Sequence, residues 1–143
     1  MDGGICKQSV TMKSTAKTIA EYNKIQSADI KATCVLLEEN ISKNLKKSES
    51  KIWHGTPVWF IDGNPIVSYS VRKNDTVSLM FFSGQSFEEK ELIPKGKFMA
   101  AEILYRDIKE VKITHLKKWL KKAKEIQWDY KNIVEMKGKL KRI

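Results

Sequence analysis

Two turn sequences, Asp62-Gly63-Asn64 and Arg72-Lys73-Asn74-Asp75, separate three runs rich in β-branched and aromatic residues. The runs are Val58 to Ile61, Pro65 to Val71 and Thr76 to Phe82. Gaps this short, made of turn-forming residues, predict consecutive hairpins and hence an antiparallel meander. In Thr76 to Phe82 the residues Val77, Leu79 and Phe81 share one face, and Met80 and Phe82 share the other. Val58 and Phe60 oppose Trp59 and Ile61 in the same way. Both faces are therefore apolar, which calls for helices on both sides or a dimer interface. After the polar loop Ser83 to Gly96, Phe98 to Tyr105 reads as a further strand with Met99, Ala101, Ile103 and Tyr105 on one side.

Helical periodicity flanks this block. Ile19, Tyr22 and Ile25 are spaced by three within Ser14 to Ile25, a short helix. Ser27 is a fair N-cap for a second helix with Asp29 in its first turn. Ile30, Cys34, Leu37, Ile41 and Leu45 form its apolar stripe, and Lys46 to Ser50 is a polar break. The last helix starts near Thr114, with Leu116, Trp119, Leu120, Ala123, Ile126, Tyr130 and Ile133 as its stripe. The expected fold class is α+β: an antiparallel β-sheet of about five strands, two N-terminal helices and one long C-terminal helix. Residues 1–13 read as a flexible polar tail, 14–133 as one domain, and 134–143 as a basic tail.

Length and composition fit that reading. A chain of 143 residues suits one domain, and its 41% apolar content is too high for disorder. No run of about 18 apolar residues occurs. The start, Met1 to Lys7, lacks an apolar signal core, so a cytoplasmic location is expected. The two cysteines, Cys6 and Cys34, are expected to stay reduced, and no Cys-x-x-Cys is present for zinc or redox chemistry. Phosphate-loop, zinc-protease and nucleophile-elbow signatures are also missing.

The formal net charge is +10. It is unevenly spread: residues 109–143 hold 12 basic and 4 acidic groups, while residues 1–108 hold 15 and 13. Lysines Lys117, Lys118, Lys121 and Lys122 of the last helix are candidate contacts to nucleic acid or an acidic partner, or else a solvated face. Only three of the 27 basic residues are arginines, which argues against sequence-specific recognition.

The segment Lys51-Ile52-Trp53-His54-Gly55-Thr56-Pro57-Val58-Trp59-Phe60 is the most distinctive in the chain. It resembles the opening of the YdhG-like domain family. The resemblance continues through Gly63-Asn64-Pro65-Ile66-Val67, Val77 to Gly84, Gly96-Lys97-Phe98-Met99 and Leu116 to Leu120, covering roughly residues 14–126. It implies an α+β domain with an antiparallel sheet. For some members it also implies a frataxin-like iron chaperone, which would need a carboxylate-lined surface.

Two further candidate sites follow. Trp53, His54, Gly55, Pro57, Trp59 and Tyr69 define a ligand pocket in which the tryptophans stack on a planar group and His54 donates a hydrogen bond. The same residues also fit a turn at the start of a strand, with Gly55 supplying a φ that side chains avoid. Glu88, Glu89 and Glu91 are the best metal candidates, iron included, or else ordinary loop charge. A Cys34–His54 or Cys34–His115 nucleophile is disfavoured because Cys34 lies on an apolar stripe. The expectation is a non-enzymatic binding domain for a small ligand or iron. A non-specific polyanion binder and a structural homodimer are the alternatives.

Overall fold

The computed structural model describes residues 16–143. Two helices open the described part of the chain. Helix α1, Ile19–Lys24, starts at Thr18, whose side chain accepts a hydrogen bond from the Glu21 N–H. Helix α2, Ala28–Asn44, follows, with Ser27 at its N-cap position. The stripe Ile30, Cys34, Leu37, Ile41 and Leu45 is buried throughout. Side chains four residues apart lie on one face of a helix, and burying each aliphatic one contributes about 1.5–3 kcal/mol.

Six antiparallel strands make one sheet: β1 Glu49–Trp53, β2 Thr56–Ile61, β3 Asn64–Arg72, β4 Thr76–Phe81, β5 Ile93–Pro94 and β6 Ala101–Tyr105. Their order is β1-β2-β3-β4-β6-β5. Strands β2, β3 and β4 form the expected meander, and β1 extends it at one edge. The chain then runs out to the edge as β5 and returns between β4 and that edge as β6. The extra strand at the start, β1, is polar and largely exposed, so it reads as a break in the sequence.

The hairpin turns explain the register. Trp53 pairs with Thr56 across His54 and Gly55, with φ of 53° and 83°. Ile61 pairs with Asn64 across Asp62 and Gly63, with φ of 51° and 81°. Positive φ at both central residues is what a two-residue hairpin matched to strand twist requires. Gly63 has a second constraint, since an added Cβ would sit 3.1 Å from Lys131 Cε.

Among the described residues the three helices pack on one face of the sheet, the face bearing Trp59, Val67, Tyr69, Leu79 and Phe81. Three side-chain contacts fix this: Trp59 Nε1 donates to Ser42 Oγ of α2, Tyr69 OH donates to Asn23 Oδ1 of α1, and Phe81 packs edge-on to Trp119 of α3. Among the described residues no helix covers the opposite face. On the opposite face Trp53, Phe60, Phe82, Tyr130 and Phe98 form a continuous run of rings with neighbouring centroids 5.4–6.4 Å apart.

Helix α3 spans Ile113–Glu125, shorter than its apolar stripe predicts. Leu116, Trp119, Leu120 and Ala123 are buried on it, but Tyr130 and Ile133 lie beyond its end. The cause is tertiary. Asn64 Nδ2 donates to the Trp128 carbonyl and Gln127 Oε1, the Trp128 N–H donates to Ser83 Oγ, and the Lys131 N–H donates to Asn64 Oδ1. These bonds take the backbone at 127–131 out of helical geometry and carry Tyr130 round to the other face. The final segment turns back as well: Trp128 bridges Arg142, and the Ile143 N–H donates to the Gln127 carbonyl.

Candidate functional site

The residues of the Trp53–Trp59 segment do not converge. Trp59 and Tyr69 are core side chains on the helix-covered face, with ring centroids 5.7 Å apart and both polar atoms satisfied. Trp53 lies on the opposite face, 37% exposed, with the His54 ring tilted beside it, centroids 4.3 Å apart. Gly55 completes the β1–β2 turn, and Pro57 is buried in β2. Neither the cavity between α2 and α3 nor the smaller one near Asp29, Asp75 and Asp107 is lined by Trp53, His54, Trp59 or Tyr69. The turn reading accounts for Gly55, and packing accounts for Trp59 and Tyr69.

The three acids are divided too. Glu88 is exposed, at the left-handed end of the 3-10 turn Gly84–Phe87. Glu91 Oε1 lies 2.9 Å from His115 Nδ1. Glu89 packs against α3, where it pairs with Lys122 and, at 3.4 Å, with Lys118. Burial pushes its carboxyl up, but Lys122, Trp119 and Lys118 outweigh that and hold it below the usual value. Among the described residues no three His, Cys, Asp or Glu side chains come together to hold a metal ion. The Cys34 thiol is fully buried, and burial pushes it up to about 12, far from a nucleophile's range.

The lysines of α3 separate into two flanks of the buried stripe. On one flank Lys118 and Lys122 serve Glu89, and Lys122 Nζ also donates to the Phe87 carbonyl. On the other flank lie Lys117, Lys121 and Lys124, at spacings of four and three, which stack successive turns on one side of a helix. Among the described residues no carboxylate pairs with these three.

That second flank borders a cavity of about 720 Å³. Lys117 and Lys124 form one wall. Lys43, Asn44, Leu45, Lys46 and Lys47, from the end of α2 and the turn after it, form the other. Ile61, at the end of β2, and Gln127 complete the lining. Five lysines and no acidic side chain line it. The Leu45 backbone leaves the helix at φ −124°, ψ 64°, and Lys46 and Lys47 just beyond this break line the cavity with Lys117 and Lys124. Among the described residues no ion pair joins Lys46 to the neighbouring Glu49. The clustering is unfavourable for the free protein, because like charges gathered round one cavity repel, the more so at low salt. An anion relieves that repulsion. A second cavity, of about 310 Å³ near Asp29, Asp75 and Asp107, is smaller and carries Arg106 among its acids.

Sequence reasoning singled out Lys117 and Lys121 but grouped them with Lys118 and Lys122, and it passed over Lys43, Lys46, Lys47 and Lys124 as cavity residues. The helical spacing of 117, 121 and 124 was the available signal. The chain matches no protein-family model, no curated protein and no solved structure.

Proposed function

We propose that the protein is a binding module, not an enzyme, and that its ligand is a phosphate-bearing anion held in the cavity between α2 and α3. The observation that carries this reading is the lining itself: five lysines against no carboxylate. Lysine ammonium groups are strongly hydrated point charges that suit phosphate oxygens without demanding one geometry. The apolar side chain of Ile61 lies at the base of β2, where it can meet a ligand's non-ionic part.

Inorganic tripolyphosphate is a suitable probe, titrated at low salt and followed by backbone amide shifts. The expected result is saturable shifts at residues 43–47, 61 and 117–124, weakening as salt rises. Lys117→Glu with Lys124→Glu should abolish them while leaving the circular dichroism spectrum unchanged. Absence of saturable shifts in this set at millimolar probe would overturn the reading.

A further inference from the structure

Resting on the cavity as an anion site, we propose that its ligand is a single-stranded nucleic acid, engaged through its phosphodiester backbone without regard to sequence. The positive surface is longer than a compact anion fills. Lys117, Lys121 and Lys124 run about 10 Å along α3, seven residues at about 1.5 Å each. Lys121 belongs to this row but stands outside the cavity lining. The C-terminal segment lies beside the same opening, because the Ile143 N–H donates to the carbonyl of the cavity residue Gln127. Lys141 and Arg142 come with it, since the Asp129 N–H donates to the Lys141 carbonyl and Arg142 bridges Trp128. A small phosphate compound leaves this outer charge unused. A strand enters at the cavity and continues along it.

Shape selects a single strand over a duplex. The lysines line a recess between two helices, which a flexible single strand can bend into, whereas a duplex with a persistence length of about 50 nm stays straight across it. The chemistry of the lining selects backbone over bases. No arginine lines the cavity, so the planar fork that reads guanine is missing, and no aromatic ring is present for a base to stack on. Six lysines, at 43, 46, 47, 117, 121 and 124, are placed to neutralise phosphates. Neutralising that many on a single strand gives a log–log salt slope of about −4, or about a 300-fold affinity loss between about 50 and 200 mM salt.

Fluorescence anisotropy with a labelled oligothymidylate, run beside the tripolyphosphate titration, tests this on the full chain. The strand is expected to bind at low salt with that slope, more tightly than a duplex of equal length. Lys121→Glu is expected to weaken the strand about tenfold and leave tripolyphosphate within twofold. Lys117→Gln with Lys124→Gln, a milder pair that keeps the fold, should weaken both ligands. If tripolyphosphate binds and the strand does not, the strand proposal falls and the anion cavity stands. If neither binds, the anion cavity itself falls. Tighter duplex binding, or strand binding indifferent to positions 117, 121 and 124, places nucleic acid elsewhere and overturns the proposal.

Discussion

Glu89 determines which lysines of α3 remain open to a ligand. Its carboxylate is nearly buried, a position tolerable for a charge only when it is paired. Lys118 and Lys122 supply the pairing, so neither presents an unshared charge. Their engagement also sets a pH dependence. The folded-state value of Glu89 lies below its ordinary value near 4.5. The stability this group contributes is therefore complete above that ordinary value. It declines as pH falls through it towards the lower folded value, because the unfolded chain takes up the proton first. Glu89→Gln keeps the shape and removes the charge. It is expected to lower stability at neutral pH and to flatten the fall of the urea midpoint between about pH 5 and 3. Parallel midpoint curves for the two proteins across that window would show that another carboxylate carries the acid response.

Elements show where local sequence prevailed and where the rest of the chain overrode it. The stripe of α2 was legible because one face of a long helix is buried along its full length. The meander was legible because Asp62-Gly63 and Lys73-Asn74-Asp75 can do little besides turn. Strand β1 was not: Glu49, Ser50 and Lys51 have the composition of a loop, and only pairing with β2 makes them a strand. The end of α3 was hidden for the opposite reason. Its periodicity runs on to Ile133, yet hydrogen bonds from Asn64 and to Ser83, more than forty residues away in sequence, capture the backbone first. The cavity depends on a similar meeting of distant parts, the 43–47 and 117–124 lysines, and no local pattern announces it. The β1–β2 hairpin offers a direct test at this scale. Gly55 sits at φ 83°, where a Cβ crowds the following carbonyl. Gly55→Ala is expected to cost about 1–2 kcal/mol by urea unfolding. It should leave tripolyphosphate binding unchanged, since the turn is not part of the cavity lining. An unchanged urea midpoint would mean that the turn relaxes freely.

The charge of the whole molecule gains meaning from the fold. Residues 109–143 carry a net +8, and the other 108 residues are nearly balanced. Folding nevertheless draws three lysines of the balanced part, Lys43, Lys46 and Lys47, against two of the basic part. The free protein thus holds a self-repelling cluster that weakens its compact state, and screening or neutralisation strengthens it. Ordinary salt and a polyanion should differ in how they do so. Sodium chloride screens in proportion to ionic strength. A ligand that binds only the folded state adds stability by mass action, about 2.7 kcal/mol at a hundred times its Kd. For a chain of this size that corresponds to a Tm rise of roughly 5–10 °C. At matched ionic strength, tripolyphosphate is therefore expected to raise Tm well beyond sodium chloride. Lys117→Gln with Lys124→Gln should start at an equal or slightly higher Tm, because repulsion is relieved, and lose most of the polyanion increment. Equal increments from the two salts would reduce the lysine cluster to a screened surface with no ligand of its own.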